Sequence, residues 1–279
     1  MGATAVGKTA YCIRQAQAWN TEVISADSRQ FYREMQIGTA RPMPDELAGV
    51  PHHFLGSHSI HSPLTVGDYE AAAMERIRQL FRHHDRLILT GGSGLYLRAV
   101  YHGLDPVPPS DPSVRAQLNQ RLKNEGLTAL VRELRAADPV YAARTDLNNP
   151  RRVIRALEVW QVAGKPFSAF HNQKPAKPRP FRVEKVVLDR PRSELYERIN
   201  RRVERMIEDG LVAEAKRLYP HRRLSVLQTV GYQELFPYLE GAYPLEEAIR
   251  RIQQNTRRYA KRQLTWFRRE QDAKWVTVY

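Results

Sequence analysis

Cysteine is nearly absent from this chain of 279 residues, in which Cys12 is the only one. A single thiol cannot close a disulfide within the chain or supply the paired thiolates of a structural zinc site. Long apolar runs are also missing, since none approaches the roughly 20 residues that a transmembrane helix needs. We therefore expect a reduced, cytosolic protein with no membrane partner.

Acidic residues are too few to balance the basic ones, and the imbalance lies in one part of the chain. The sequence has 44 Lys and Arg against 30 Asp and Glu, a net charge of +14. Residues 1–110 carry 10 basic and 10 acidic side chains, so the remaining 34 basic and 20 acidic ones fall in residues 111–279. This asymmetry favours a polyanionic partner bound by the later segments, although a solvated basic surface would give the same composition.

Residues 2–9 form a motif that is typical of phosphate binding, a complete G-x-x-x-x-G-K-[ST] loop. Its glycines let backbone N–H groups approach phosphate oxygens, Lys8 neutralises the terminal phosphate, and the Thr9 hydroxyl can coordinate Mg²⁺. Because only Met1 precedes the loop, we expect its usual leading strand to be missing and the loop to be poorly anchored. The motif predicts a diphosphate or triphosphate site made of Gly2, Ala3, Thr4, Ala5, Val6, Gly7, Lys8 and Thr9.

Strand and helix patterns alternate behind this loop, as is typical of a parallel α/β sheet. A helix pattern leads to a strand at residues 22–26, and a second strand at 86–90 runs into a glycine-rich turn at 91–94 and another helix. Ligands of such sheets bind at the carboxyl ends of the strands, where the phosphate loop, Asp27 and Ser93 should converge. We therefore predict an α/β fold with a P-loop NTPase-like parallel sheet core and a mostly helical insert domain.

The residues after the two strands limit the chemistry. The second strand ends without the acidic metal ligand that a motor ATPase requires. Asp27 follows the first strand, where its carboxylate could accept a proton from an attacking amine or serve a small-molecule kinase as base or metal ligand. A structural alternative is that Asp27 caps a helix at residues 28–32.

Proline-rich stretches suggest the domain boundaries. Prolines cluster between residues 106 and 112, helical patterns fill about 113–163, and a second proline-rich stretch at 166–180 leads to a strand at 184–189. These patterns predict a P-loop core at 1–110, a helical insert that binds the polyanion at 111–180, and a return to the core at 181–279 with basic helices at its end.

The last long helix has one basic face. At about 100° per residue, eight basic positions without an interleaved acid fall within roughly a 140° arc. We expect this face to meet a phosphate backbone and the opposite, apolar face to pack on the core, with Trp160, Trp266 and Phe267 also buried. The basic positions are 250, 251, 257, 258, 261, 262, 268 and 269, and the apolar ones are Ala248, Ile249, Ile252, Tyr259, Trp266 and Phe267.

Several segments together resemble the tRNA dimethylallyltransferase family. They run in order along nearly the whole chain, and at Ser93 the family turn more often has Thr. The segments are DSRQFY at 27–32, IGTARP at 37–42, PHH at 51–53, GGSGLY at 91–96, NPRRVIRALE at 149–158, VGYQE at 230–234 and TRRYAKRQLTWFR at 256–268.

This resemblance implies a reaction and its partners. Dimethylallyl diphosphate would bind with its diphosphate on the loop near Mg²⁺, and tRNA would bind through its anticodon stem-loop. The adenosine 3′-adjacent to the anticodon would be flipped out of its stack toward the allyl group. Its exocyclic amine would attack the allylic carbon while Asp27 takes the proton and diphosphate leaves.

The resemblance also implies the roles of individual residues. Asp27, Lys8 and Thr9 would be catalytic, with Mg²⁺ on Thr9, and Arg202 is either a diphosphate ligand or a solvated helix arginine. His52 and His53 are expected to be a packed, hydrogen-bonded pair. The implied tRNA contacts are Asp27, Ser28, Arg29, Gln30, Ser93, Arg115, Arg151, Arg152, Val153, Ile154, Arg155, Gln228, Thr229, Val230, Gly231, Tyr232, Gln233, Lys261, Arg262, Gln263, Leu264, Thr265, Trp266, Phe267 and Arg268.

Other functions remain open from the residues alone. An adenylate isopentenyltransferase acting on free AMP would not need residues 151–155 or the basic face of the last helix. A P-loop small-molecule kinase would use ATP on the same loop. A non-catalytic RNA-binding module would leave the loop and Asp27 without a role. A monomer is the expected state.

Overall fold

The structure is a computed structural model and describes residues 1–171 and 178–278. The chain forms two compact units, one made of Met1–Tyr101 with the chain from Phe181 onward, the other of His102–Pro180. The helical unit thus begins at His102, not at residue 111, because the linker bonds to its helices: Ser110 donates to Glu158. Residues 172–177, part of the predicted proline-rich stretch, lie outside the described residues.

The first unit is an α/β structure in which short parallel strands alternate with helices. Strand β1 lies between β2 and β3, with Ile24 opposite both His53 and Leu89, and β4 pairs in parallel with β5. The elements are α1 (Lys8–Trp19), β1 (Val23–Ser25), β2 (His52–His53), α2 (Val66–Leu80), β3 (Ile88–Thr90), α3 (Gly94–His102), β4 (Val186–Asp189), α7 (Arg192–Glu208), α8 (Leu211–Leu218), α9 (Tyr232–Leu239), α10 (Leu245–Phe267) and β5 (Lys274–Thr277). The predicted α/β fold is confirmed, and its three predicted strands are present but shorter.

The phosphate loop is anchored on β4, so the expectation of a poorly anchored loop is wrong. The Met1 amino group donates to the Val186 carbonyl at 2.8 Å, and the Leu188 N–H donates to the Met1 carbonyl at 2.8 Å. Gly2 continues this parallel pairing opposite Leu188. Within the described residues no strand joins β3 to β4, and a groove of about 560 Å³ is lined by residues of both. Backbone pairing with β4 therefore anchors the loop.

Helices α7 and α10 bury one face each because their apolar residues recur every three or four positions. Leu195, Ile199 and Val203 are buried on α7. On α10 the buried positions include Ala248 and Ile252 and extend to Phe267, which is 1% exposed. The predicted packing side of the last helix is thereby confirmed.

The second unit is helical, as predicted. It contains α4 (Pro112–Ala137), α5 (Pro139–Ala142) and α6 (Pro150–Ala163). Leu130, Leu134, Val153 and Leu157 form its core, whereas Trp160 is exposed, which makes the prediction that it is buried wrong. Trp160 lies outside the buried stripe of α6, which runs through residues 153, 154 and 157.

A buried carboxylate in the first unit holds the loop at residues 36–38, which contains no helix or strand. Glu214 on α8 accepts hydrogen bonds from the backbone N–H groups of Gln36, Ile37 and Gly38 at 3.0, 2.9 and 2.8 Å. It also accepts from the Tyr232 hydroxyl at 2.8 Å. Three successive backbone donors and a phenol thus satisfy a side chain that is 1% exposed. The loop that follows the Asp27 turn is held by this contact.

We predict that Glu214→Gln destabilises the first unit by about 2 to 3 kcal/mol, since a buried amide would turn its own donor toward backbone donors. Urea unfolding followed by tryptophan fluorescence measures the change. Glu240→Gln is the matched control, because Glu240 is exposed and should shift stability by less than about 0.5 kcal/mol. Equal losses in the two variants would contradict the role given to Glu214.

Candidate active site

The phosphate loop turns its lysine inward. Gly7 has a φ of 111°, which a residue with a side chain rarely adopts, and α1 begins directly after it. The Lys8 ammonium group donates to the Gly2 carbonyl at 3.2 Å and the Ala3 carbonyl at 2.8 Å. Burial lowers the pKa of Lys8 to about 8, although the nearby Asp27 carboxylate opposes this shift. The loop therefore contains a desolvated cation that is ready to pair with an anion.

Arginines from α7 surround the same loop. Arg202 donates to the Thr4 hydroxyl at 2.6 Å, and Arg198 donates to the Ala5 carbonyl at 2.9 Å. Burial lowers the pKa of Arg202 to about 10, again against the attraction of Asp27. In the described part of the chain the buried Nε of Arg202 has no hydrogen-bond partner. Arg202 is thus no solvated helix arginine, and it adds a partly unsatisfied cation to the loop. Arg198 is not among the predicted site residues.

Asp27 lies in a turn that the glycine-rich turn after β3 supports. The Ser28 N–H donates to the Ser93 hydroxyl at 3.0 Å, and the two serine hydroxyls are also 3.0 Å apart. One Asp27 oxygen accepts from the Arg29 N–H at 3.1 Å, which closes an Asx turn. Residues 28–31 form a turn, so the alternative of a helix capped by Asp27 is wrong.

Tyr259 on α10 is a site residue that the sequence interpretation missed. Burial, followed by the Asp27 carboxylate, raises the pKa of Tyr259 to about 12, and a hydrogen bond with Ser93 opposes the shift. The phenol therefore lies within electrostatic range of the Asp27 carboxylate. Its place on the apolar side of α10 gave no sign of this polar contact.

Helix α10 joins the phosphate loop to the glycine-rich turn through one amide side chain. Gln263 accepts from the Thr4 N–H at 2.8 Å and donates to the Gly92 carbonyl at 2.8 Å. A Cβ on Gly92 would lie 2.2 Å from the Gln263 nitrogen, and one on Gly94 would lie 2.1 Å from the Trp266 ring nitrogen. The glycines are needed because the helix packs directly on the turn.

The predicted contacts in residues 228–233 lie beside the Asp27 turn. Arg29 donates to the Val226 carbonyl at 3.1 Å, which ties the turn to this segment. Gln228 is exposed and donates to the Arg222 carbonyl, whereas Tyr232 is fully buried. Gln228 can therefore meet a ligand at the surface, while the Tyr232 side chain cannot.

The basic face of α10 is only partly free. Lys261, Arg262 and Arg268 are exposed. Arg250 and Arg251 instead pair with Glu247 at 2.7 and 2.6 Å, and hydrogen bonds from both arginines lower the pKa of Glu247 to about 2. No acid is interleaved among the eight cations, as predicted, but Glu247, which precedes them, pairs with two, so the expectation that all eight face a phosphate backbone is wrong at these two positions.

The predicted contacts also include buried side chains that cannot touch a macromolecule. Gln263 and Phe267 in the first unit are at most 5% exposed, as are Val153 and Ile154 in the helical unit. In the helical unit itself, Arg151 and Arg152 are exposed on α6. The predicted segments thus mix surface cations with the residues that hold them in place.

The histidine pair is packed and hydrogen-bonded, as predicted. His53 bonds through Nε2 to Glu22 at 2.6 Å, and His52 bonds through Nδ1 to the Val50 carbonyl at 2.9 Å.

Among residues 1–171 and 178–278, no helix is long and apolar enough to cross a membrane.

Comparison with known proteins identifies the family. Residues 30–270 match the family model described as IPP transferase. A tRNA dimethylallyltransferase of Christiangramia forsetii is 48% identical over 275 residues, which cover 99% of this chain and 91% of that relative. A tRNA dimethylallyltransferase 1 of Phocaeicola vulgatus is 46% identical with the same coverage.

Solved structures lead to the same family. The full-length tRNA isopentenylpyrophosphate transferase of Bacillus halodurans superposes with a TM-score of 0.71 at 40% identity, covering 99% of this chain and 88% of that one. A eukaryotic dimethylallyltransferase acting on tRNA gives a TM-score of 0.82 at 27% identity, with coverages of 99% and 72%. The chain is thus a P-loop-like transferase. It belongs to the IPP transferase, or tRNA dimethylallyltransferase, family, which confirms the predicted family, fold and enzyme class.

We predict that diphosphate binding weakens above pH 8. Lys8 is charged below its pKa of about 8 and loses its proton above it, so the dissociation constant of inorganic diphosphate should rise up to about tenfold per pH unit there. Calorimetric titration between pH 7 and 9.5 measures this. Lys8→Arg keeps its charge over the range and so reports the titration of the ligand alone. Identical profiles for the two proteins would contradict the prediction.

Proposed function

We propose that this chain transfers the dimethylallyl group of dimethylallyl diphosphate to the exocyclic amine of the adenosine 3′-adjacent to the tRNA anticodon, releasing diphosphate. The observation that carries the proposal is that two cations, Lys8 and Arg202, bond to the phosphate loop within electrostatic range of the Asp27 carboxylate. The cations suit a diphosphate leaving group, and the carboxylate suits an amine that must lose a proton. The family membership supports the same reaction.

The residues of the first unit divide the chemistry between them. The loop N–H groups, Lys8 and Arg202 bind the diphosphate and stabilise the charge that develops on it as the allylic C–O bond breaks. The adenosine nitrogen forms the new C–N bond, and Asp27 accepts the proton it loses. Ser28 and Ser93 hold the Asp27 turn in place through their paired hydroxyls. Atoms and charge balance without a further reactant.

The residues present fit a magnesium ion bound together with the diphosphate. Thr9 is exposed in the first turn of α1, next to the loop. Mg²⁺ prefers oxygen ligands, keeps several waters, and commonly takes one or two protein groups together with phosphate oxygens. Thr9 would hold the ion, which would neutralise part of the diphosphate charge. The loop and Arg202 act on the same ligand from the protein side.

A tRNA acceptor explains surface cations that a free nucleotide would leave unused. Lys261 and Arg262 are exposed on α10, and Arg151 and Arg152 are exposed on α6 of the helical unit. A phosphate backbone such as that of an anticodon stem-loop requires cations of this kind, whereas AMP requires only a pocket. We propose that the enzyme works as a monomer in the cytosol.

The direct test is incubation with radiolabelled dimethylallyl diphosphate, Mg²⁺ and either unmodified tRNA or AMP. Label in tRNA, confined to the nucleoside beside the anticodon, is the expected result. Label in AMP alone would establish the adenylate isopentenyltransferase alternative. Label in neither, with phosphate transfer from ATP to a small molecule, would establish a kinase.

We predict that Asp27→Asn lowers kcat by about 100-fold or more, which is the range of general-base catalysis, with little change in tRNA affinity. Single-turnover transfer and filter binding measure the two quantities. Asp45→Asn is the control, because Asp45 is an exposed aspartate elsewhere in the first unit. A large loss of tRNA affinity with kcat preserved would make Asp27 a binding residue instead.

We predict that Lys261→Gln with Arg262→Gln reduces the salt dependence of tRNA binding, lowering the slope of log K against log salt by about 0.7 to 0.9 per lost phosphate contact. The double variant Arg250→Gln/Arg251→Gln removes the same charge from the same helix, but these arginines already pair with Glu247. Its slope should change less. An unchanged slope for the first variant would remove residues 261 and 262 from the interface.

A further inference from the structure

The helical unit contains a carboxylate that no step of the reaction uses. Glu158 on α6 is 0% exposed. One of its oxygens accepts from the Ser110 hydroxyl at 2.5 Å and the Asp111 N–H at 3.0 Å. The other accepts from Arg115 at 2.6 Å and Arg155 at 2.8 Å. Four donors from three parts of the helical unit thus meet at one buried side chain.

The two arginines are neighbours because they bond to the same oxygen. The Arg115 side chain is 44% exposed and the Arg155 side chain is 27% exposed, so both keep contact with the surface. Arg155 is held further by the Pro108 carbonyl. Two guanidinium groups side by side repel each other, and the carboxylate between them removes that cost.

The charge of Glu158 is maintained by these contacts. Burial alone would raise the pKa of this carboxyl, but the hydrogen bonds from Ser110, Arg155 and Arg115 outweigh burial and lower it. A hydrophobic side chain would fill the same position in the core without needing any donor. A carboxylate is needed here because it holds the linker at Ser110 and Asp111 and also aligns the two surface arginines.

We propose that Glu158 is a positioning residue for tRNA, which holds Arg115 and Arg155 together as one two-guanidinium site for the RNA phosphate backbone. The inference rests on the proposed function, because it takes tRNA as the ligand. Guanidinium groups bind phosphate oxygens through several N–H donors at once, so fixing two of them in advance reduces the ordering that binding requires. Glu158 itself touches no substrate.

The test is a double-mutant cycle on tRNA binding, using Glu158→Gln, Arg115→Gln and the two together. Each single variant should weaken tRNA binding roughly tenfold, the scale of one charge-assisted hydrogen bond, and the double variant little more. The KM for dimethylallyl diphosphate and kcat at saturating tRNA should not change. Glu133→Gln is the matched control, because Glu133 pairs in the same unit with Arg121, which is not a predicted contact.

Additive losses in the cycle, or an equal loss in Glu133→Gln, would overturn the proposal. If Glu158→Gln unfolds the helical unit, the cycle of Arg115→Gln with Arg155→Gln replaces it. One shared site predicts that their combined loss is smaller than the product of the single losses, and independent losses would overturn the proposal. Wild-type protein that fails to label tRNA refutes the proposed function itself, whereas tRNA binding that Glu158→Gln leaves unchanged refutes only this inference.

Discussion

The amide of Gln263 is the contact on which the candidate site depends. Its oxygen accepts a hydrogen bond from the Thr4 N–H of the phosphate loop, and its nitrogen donates one to the Gly92 carbonyl of the turn after β3. Because Ser93 follows Gly92 and supports the Asp27 turn, one side chain fixes the phosphate loop and the Asp27 turn relative to each other. The glycines at 92 and 94 exist to let α10 come close enough for this contact.

Local patterns allowed much of this site to be predicted from the sequence. The phosphate loop is a recognisable motif, and Asp27 and Ser93 each come after a predicted strand. Parallel strands bring their carboxyl ends together, so these residues are expected to converge. Gln263 is instead among the expected RNA contacts, because the family resemblance implies the whole segment 261–268 as a contact. Gln263 lies four residues before Phe267, which places it on the apolar side of α10. Helical periodicity alone therefore predicts that its side chain is buried. No local sequence pattern predicts contacts between segments far apart in the chain, such as the bond between Arg198 and the phosphate loop.

The net charge of the sequence does not show which Lys and Arg side chains are buried, which are exposed and which pair with an acid. Arg202 lies buried against the loop, Lys261 is exposed, and Arg250 is paired with an acid. Arg115 and Arg155 form a further class, since they reach the surface while the carboxylate that they share is fully buried. These classes differ in desolvation and in partners, which depend on the fold and not on composition. A basic segment therefore predicts a polyanion but not which of its residues bind it.

The inward position of Lys8 has a consequence for ligand selectivity. Two of its three ammonium N–H donors bond to carbonyls of its own loop, which leaves one donor for a ligand. The buried Arg202 nitrogen is a second donor that has no partner among the described residues. A diphosphate, with its two linked anionic groups, offers an acceptor for each of these donors. The loop is thus suited to a ligand that carries more than one anionic group.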